Sequence, residues 1–123
     1  MSLDDNKAII RAYVETVWNQ HQLDRADEFM APDFLDHASL PGQAPRLQGA
    51  TKKWAMYQTG LPDLRVTIND LVAEGDKVGV RRTYQGTHGG ELLGVPPTGR
   101  HVQIGGISIF RLAGGRSPKV GSR

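Results

Sequence analysis

The sequence predicts an α+β domain in which a curved, mainly antiparallel sheet wraps around N-terminal helices and encloses an internal cavity. Two observations support this fold class. Apolar residues recur at helical spacing in the first half of the 123-residue chain, whereas they alternate at strand spacing in the second half. Helices gathered before strands are typical of an antiparallel sheet that helices cover on one face. A chain of this length suits one domain with a single core.

Three helices are predicted in the first half of the chain. The first covers residues 4–20, where apolar side chains recur every three to four positions after an acidic pair at residues 4 and 5 that can cap its start. The second covers residues 23–30 and is stopped by Pro32, because proline cannot continue a helix. The third covers residues 50–59 and ends before Gly60.

The extended segments begin with a short run at residues 34–37. Residues 64–68 and 78–84 then alternate between apolar and polar types on either side of an E-G-D-K turn, which predicts a hairpin. The last long strand covers residues 102–112. Two glycines at 105–106 interrupt its alternation, and Ile107 and Ile109 resume in shifted phase, so we expect a bulge or sharp bend there.

Charge is unevenly placed along the chain, which carries 15 basic and 13 acidic residues. Three of the basic residues lie in residues 113–123, where no acid occurs, so the rest of the chain is slightly acidic. We therefore interpret residues 1–112 as the domain and residues 113–123 as a basic, disordered tail. DNA binding through this tail is an alternative, but a nucleic-acid interface needs basic residues clustered on a folded face, so no nucleic-acid partner is predicted.

Other classes of protein are also disfavoured by the composition. The sequence has no cysteine, no apolar run of about 20 residues and no secretion signal, so we expect a cytoplasmic protein without a membrane partner. It has no zinc-like spacing, no phosphate-binding glycine loop and no nucleophile elbow, so no metal or other cofactor is predicted. Acid/base chemistry by scattered Tyr, Asp, His and Glu side chains remains.

One segment resembles a known family. Residues 86–100, G-T-H-G-G-E-L-L-G-V-P-P-T-G-R, and residues 106–111, G-I-S-I-F-R, resemble the SnoaL-like polyketide cyclases, a branch of the nuclear-transport-factor-2-like cone folds. The resemblance covers about residues 8–112. It implies a cone-shaped domain that binds a small, largely apolar carbonyl compound and performs aldol cyclisation or isomerisation without a cofactor.

The resemblance breaks down at the end of the chain. Members of the family normally continue into one more strand that bears a tryptophan and an acid/base aspartate, and A-G-G-R-S-P-K-V-G-S-R supplies neither. We interpret this as a lost or altered C-terminus, for example by a frameshift after Leu112. The missing strand would expose an edge of residues 107–112, so we expect a homodimer that uses sheet faces or edges.

The resemblance also suggests catalytic residues in the first half of the chain. Related isomerases use a tyrosine at about the position of Tyr13 to bind a developing oxyanion, although a tyrosine on an apolar helix face is more often part of the core. They place a proton-abstracting carboxylate near Asp36 and His37, with His37 closer to the aligned position. Only one of these two neighbours can face a cavity, since successive side chains of a strand point to opposite sides. His37 is therefore either a general base or an ordinary strand-end residue.

Further candidates lie in the loop and on the last long strand. His88 and Glu91 belong to the loop that carries the resemblance, where His88 either lines the pocket as a catalytic group or shapes a turn at its mouth. Ser108 stands where many cone-fold enzymes carry an aspartate or histidine, and serine can donate a hydrogen bond but does not titrate near neutral pH. Trp18 and Trp54 are expected in the core or in the cavity wall.

Two functions are compatible with these observations. The first is a cyclase or isomerase in which Tyr13 polarises an oxygen and His37 or His88 moves the proton. The second is a binding or assembly domain that keeps the cavity without catalysis. The intact loop favours the first function, and the absence of an acid after Glu91 favours the second.

Overall fold

The computed structural model describes residues 2–37, 43, 46–113 and 119–122. Helix α1 spans Leu3–Tyr13 and continues into a π-helical stretch, Val14–Asn19. The cap lies before the predicted acidic pair: the Ser2 hydroxyl accepts a hydrogen bond from the Asp5 amide at 3.0 Å, and the Asp5 carboxylate accepts one from the Ser2 amide at 3.3 Å. This reciprocal pair satisfies two amides at the helix start.

The second helical segment is shorter than predicted. A 3₁₀ helix covers Leu23–Glu28, and strand β1 (Met30–Leu35) follows almost at once. Pro32 therefore lies within a strand rather than after a helix. A proline is tolerated there because β1 is an edge strand of the sheet. Helix α2 spans Arg46–Gly60 and begins four residues earlier than its predicted start.

Within the described part of the chain, five strands form one sheet in the order β1-β5-β4-β3-β2. Strand β2 spans Arg65–Glu74, β3 spans Lys77–Thr87, β4 spans His101–Ala113 and β5 spans Lys119–Ser122. Strands β1 and β5 pair in parallel, whereas the other neighbours are antiparallel. The predicted α+β class, the mainly antiparallel sheet and the β2–β3 hairpin are confirmed.

The prediction of a disordered tail is wrong for residues 119–122. These residues form β5 between β1 and β4, so a final strand is present, and the predicted domain end at residue 112 is too early. Strand β5 forms although its sequence lacks an apolar pattern, because backbone groups of the two neighbouring strands hold it. Residues 114–118 and 123 lie outside the described residues.

Of the two alternatives predicted for residues 105–106 of β4, a bulge or a sharp bend, the bulge is wrong. Strand β4 pairs with β3 without a register shift from His101 to Arg111, so the two glycines continue the ladder. As a result Ser108 and Phe110 face the core, while Ile107 and Ile109 are 72% and 59% exposed on the outer face. The phase of side chains in a strand is set by its pairing, and here pairing prevails over the apolar pattern.

The core lies between the helices and the inner face of the sheet. Helix α1 packs on β2 and β3, and α2 packs on β1. The largest fully buried side chains come from every layer of this arrangement: Trp54, Phe34, Ile10, Met30, Val17, Val78 and Val80. Among the described residues, no helix is both long and apolar enough to span a membrane.

Candidate functional site

A cavity of about 260 Å³ lies between the π-helical stretch, helix α2 and the inner face of β3 and β4, with Leu92 of the β3–β4 connection at its wall; we call it the chamber. A second, much smaller space of about 10 Å³ adjoins it and is called the deep end. Trp18, Arg82 and Tyr84 line both spaces. Small-molecule sites are typically concave and mostly apolar, with a few polar groups that orient the guest.

Aromatic rings form one wall of the chamber. The rings of Trp18 and Tyr84 are stacked, with centroids 5.4 Å apart and planes inclined by 19°. Trp54 packs against Trp18 at 5.8 Å and against Tyr13 at 5.7 Å. The prediction that Trp18 and Trp54 belong to the core or cavity wall is confirmed, since both are buried and line the chamber.

Arg82 is the polar residue that the sequence analysis missed. Its Nε donates a hydrogen bond to the Tyr84 hydroxyl at 2.8 Å, and its guanidinium carbon lies 4.7 Å from the centre of the Tyr84 ring. Its Nη1 is shielded from solvent and has no hydrogen-bond partner among the residues that the structure describes. No ion pair between described residues involves Arg82. The chamber therefore contains a positive charge without a carboxylate beside it.

Space for the Arg82 guanidinium comes from a glycine on the neighbouring strand. Arg82 is paired with Gly106 across β3 and β4. A Cβ atom at residue 106 would lie 2.6 Å from Arg82 Nη1. The second of the two glycines that interrupt the β4 pattern thus makes room for a side chain of the chamber.

Two further buried donors near the chamber have no hydrogen-bond partner in the described part of the chain. The Trp54 indole Nε1 belongs to a residue of the chamber wall, and the Ser108 hydroxyl belongs to a residue of the deep end. Tyr13 also lines the deep end, where its hydroxyl accepts a hydrogen bond from Trp18 Nε1 at 2.8 Å. Burying a polar group without a partner costs free energy, so such groups often mark a binding site.

A buried ion pair lies at the chamber wall. Lys53 lines the chamber, and its Nζ lies 2.5 Å from Asp36 Oδ2, with side-chain exposures of 5% and 2% for the two residues. Gln43 donates a second hydrogen bond to the same carboxylate oxygen at 3.3 Å. Asp36 does not itself line the chamber, so Lys53 stands between this carboxylate and the cavity.

The position of His37 agrees with an ordinary strand-end residue, the second of its two predicted alternatives. Strand β1 ends at Leu35; beyond it Asp36 is buried and His37 is exposed. The two neighbours thus point to opposite sides, and the inward position belongs to the carboxylate rather than to the imidazole. Lys53 explains this choice, because a buried carboxylate requires a partner such as a cation.

His88 is buried but does not line the chamber or the deep end, so its position agrees with the turn-shaping alternative rather than with pocket lining. Its Nδ1 lies 3.0 Å from the Thr98 hydroxyl, its amide donates to the Arg100 carbonyl, and its carbonyl accepts from the Gly99 amide. Its Nε2 is buried without a partner. We call residues 88–100 the glycine-rich loop. These contacts hold its two ends together.

The glycine-rich loop packs tightly on the end of α2. The amides of Gly89 and Gly90 both donate to the Gly60 carbonyl, at 3.1 and 3.2 Å. A Cβ atom at residue 90 would lie 2.2 Å from the Thr59 carbonyl oxygen, so only glycine fits. Glu91 is exposed and contributes nothing to the chamber lining. The geometry thus matches the turn-shaping alternative for this loop.

The aspartate at the start of β2 fixes the strand that leads into the glycine-rich loop. Asp63 Oδ1 accepts a hydrogen bond from the Thr87 amide at 2.6 Å. This bond holds the pKa of Asp63 below its ordinary value of 3.8, because a backbone donor favours the charged carboxylate. In the described part of the chain, no three His, Cys, Asp or Glu side chains are grouped so as to hold a metal ion.

The sequence profile of the SnoaL-like polyketide cyclases matches residues 7–118, most of the chain. The chain belongs to this family. Its expected cone fold is confirmed by solved structures of the same type. A comparison with curated proteins found no match.

Three solved structures are similar to this chain, and their proposed activities differ. AclR from Streptomyces galilaeus, proposed to be a hydroxylase, is 28% identical, with a TM-score of 0.84 over 98% of this chain and 73% of its own. IdmH from Streptomyces antibioticus, a proposed polyketide cyclase, is 28% identical, with a TM-score of 0.77 over 99% of this chain and 88% of its own. A proposed SnoaL-like polyketide cyclase from Jannaschia sp. is 26% identical, with a TM-score of 0.80 over 95% of this chain and 81% of its own. Because the assigned reactions differ, the fold alone does not identify the reaction.

Proposed function

We propose that this protein binds a small, largely apolar carbonyl compound in the chamber and moves a proton α to the carbonyl, as in an aldol cyclisation or an isomerisation. The observation that supports this proposal is the group of buried, unpartnered donors at an aromatic cavity: Arg82 Nη1, Trp54 Nε1 and Ser108 Oγ. Fixed donors in a site that excludes water stabilise the negative charge that develops on an oxygen during such a reaction.

The Lys53–Asp36 pair is the proposed acid/base group. Lys53 passes a proton to Asp36 across their 2.5 Å contact and accepts the proton from the carbon next to the carbonyl. The electrons of the broken C–H bond move to the carbonyl oxygen, which the buried donors hold as an enolate. In an aldol cyclisation the enolate carbon then bonds to a second carbonyl carbon of the same molecule, and the new alkoxide takes the proton back.

The same ion pair also supports the second function, a binding domain without catalysis. Asp36 is neutralised by Lys53 and does not line the chamber, so its pairing with Lys53 is equally suited to a purely structural role. In that case the chamber holds a guest and its donors orient the carbonyl group, but no C–H bond breaks.

Hydrogen–deuterium exchange separates the two functions. We expect the wild-type protein in D₂O to accelerate loss of the α-proton signals of 2-tetralone, measured by NMR against buffer alone. Arg82→Gln should slow this exchange by about tenfold to a hundredfold, the range expected for loss of a charged donor. Asp24→Asn, a change of an exposed acid on the 3₁₀ helix, is the matched control and should exchange at the wild-type rate.

Calorimetric titration with 2-tetralone and with 2-acetylnaphthalene completes the test. If the protein binds 2-tetralone but its α-protons exchange no faster than in buffer, the non-catalytic function is the correct one. Binding of neither ketone would contradict both functions, since each requires the chamber to accept an apolar carbonyl compound.

We also propose a homodimer that forms through the outer face of the sheet. Val72, Ile107 and Ile109 are all more than half exposed there, although each is a large apolar side chain. Beside them lies a row of paired charged residues of both signs, Glu74, Lys77 and Arg111. Two copies related by a two-fold axis can therefore place acidic residues of one copy against basic residues of the other. We therefore expect light scattering to give twice the 13.5 kDa chain mass.

Replacing the two isoleucines tests this interface. The double variant Ile107→Asp, Ile109→Asp should give the mass of a single chain, because buried unpaired carboxylates oppose association. Lys52→Glu changes the charge at an exposed position of α2, away from the outer face of the sheet, and should leave the mass unchanged. A wild-type protein of 13.5 kDa at micromolar concentration would overturn the proposal.

A further inference from the structure

We propose that the natural guest of the chamber carries a negative charge, as a carboxylate or an ionised enol, and that Arg82 binds this charge. The inference rests on the proposed function, because it assumes that the chamber holds a small molecule. Beyond the proposed function, the inference specifies the charge of the bound molecule and the residue that recognises this charge.

The balance of charges at the chamber supports the proposal. Two cationic side chains line the cavity, Lys53 and Arg82. Lys53 is already paired with Asp36, whereas no ion pair among the residues described involves Arg82. The occupied chamber would therefore keep one uncompensated positive charge if its guest were neutral. A guanidinium is always ionised in proteins, so it cannot lose its charge to escape this cost.

The guanidinium is also held in a fixed orientation before any guest arrives. Its Nε donates to the Tyr84 hydroxyl and its guanidinium carbon lies 4.7 Å from the centre of the Tyr84 ring, while Gly106 leaves room for Nη1. Among the described residues, this Nη1 is a buried donor that has no hydrogen-bond partner. An arginine fixed in this way loses little side-chain entropy when it binds an oxygen, which favours recognition of carboxylates.

Ser108 supplies a second donor on the same face. It lies two residues beyond Gly106 on β4 and lines the deep end together with Arg82. Residues at such diagonal positions of an antiparallel pair are about 7–8 Å apart, within reach of a long side chain. Its hydroxyl is buried without a partner. The deep end has room for about one water molecule, so Arg82 would bind the carboxylate in the chamber and Ser108 would reach it through that water. The aromatic wall suits a flat apolar body.

A pair of probes of similar shape tests the charge. 2-Naphthoate is ionised at neutral pH, and 2-acetylnaphthalene is its neutral counterpart. In calorimetric titrations at pH 7 we expect the wild-type protein to bind the carboxylate about 10- to 100-fold more tightly than the ketone, the range for hydrogen bonds to charged groups. Arg82→Gln should remove most of this preference while binding of the ketone changes little.

Two pairs of variants control for unfolding and for general charge effects. Gly106→Ala keeps the positive charge but displaces Nη1, so it should also reduce the preference for the carboxylate, even if Arg82→Gln fails to fold. Gly105→Ala meets no atom within 4 Å and should retain the preference. Arg81→Gln removes a charge from the exposed neighbouring position of β3 and should also retain it.

The outcomes separate this inference from the proposed function. Equal affinity of the wild-type protein for the two probes would overturn the anionic guest while leaving the carbonyl-binding chamber intact. A preference that persists in Arg82→Gln or in Gly106→Ala would overturn the role of Arg82. Failure to bind either probe would contradict the proposed function together with the inference.

Discussion

The glycine-rich loop and the inner face of β3 and β4 differ in what their sequences reveal. The loop carries the segment that resembles the family, yet it adds only the apolar Leu92 to the described chamber lining and otherwise makes backbone contacts and packs against α2. The inner face has an ordinary strand sequence, yet it presents Arg82 and Ser108 to a cavity. A segment can therefore be recognisable because its backbone must fit closely, whereas the chemistry resides in a few side chains nearby.

The largest effect is expected from breaking the ion pair at the chamber wall. Lys53→Met leaves the Asp36 carboxylate buried without its cation, which should lower the free energy of unfolding by about 3–5 kcal/mol. Urea denaturation followed by circular dichroism measures this change. The double variant Lys53→Met, Asp36→Leu should recover much of the loss, because it removes both charges. A single variant as stable as wild type would show that this pair does not support the chamber wall.

A smaller loss of stability is expected in the glycine-rich loop. Gly90→Ala places a Cβ atom 2.2 Å from the Thr59 carbonyl oxygen, and this backbone atom cannot move without displacing the end of α2. Overpacking of this kind costs about 1–3 kcal/mol in the free energy of unfolding. Gly105→Ala is the matched control in β4 and should cost nothing or stabilise slightly, since nothing lies within 4 Å of its Cβ. Equal stabilities of the two variants would remove the packing explanation of the loop.

The comparison also explains which features could be predicted from the sequence. The helices, the β2–β3 hairpin and the mainly antiparallel sheet follow from local periodicity, which survives in the folded chain. Strand β5 could not be predicted, because its neighbours β1 and β4 define it rather than its own residues. The phase of β4 was misread for the same reason, since pairing with β3 fixes which residues face inward.

The candidate site was predicted only in part. Tyr13, Trp18, Trp54 and Ser108 were identified and lie at the chamber or its deep end. Arg82 was missed, although it continues the inward phase of Val78 and Val80, because a charged residue in a strand is usually assigned to the solvent face. Lys53 was missed because its partner, 17 residues away in sequence, becomes its neighbour only through the fold.

The hydrogen bond between His88 and Thr98 gives a moderate test of the structural role of the loop. Thr98→Val keeps the shape of the side chain but removes the hydroxyl that lies 3.0 Å from His88 Nδ1. We expect a loss of about 1 kcal/mol in the free energy of unfolding, the typical net value of one hydrogen bond. The affinity for 2-naphthoate should be unchanged, because neither residue lines the chamber. A tenfold loss of affinity at wild-type stability would instead assign the His88–Thr98 pair to the binding site.

The smallest expected effect concerns acid sensitivity at the start of the glycine-rich loop. The pKa of Asp63 lies below its ordinary value of 3.8 in the folded chain, mainly because its carboxylate accepts the Thr87 amide. The ionised form is therefore favoured by folding, so its contribution to stability is present above pH 3.8 and is lost as the pH falls through the lower, folded-state pKa. Asp63→Asn should be less stable than wild type at neutral pH, and the difference should shrink in acid. Urea denaturation of both proteins between pH 7 and pH 3 measures this convergence. A difference that stays constant across this range would mean that the carboxylate charge does not hold β3 at the loop, and the loop would then depend on its glycines and on His88 alone.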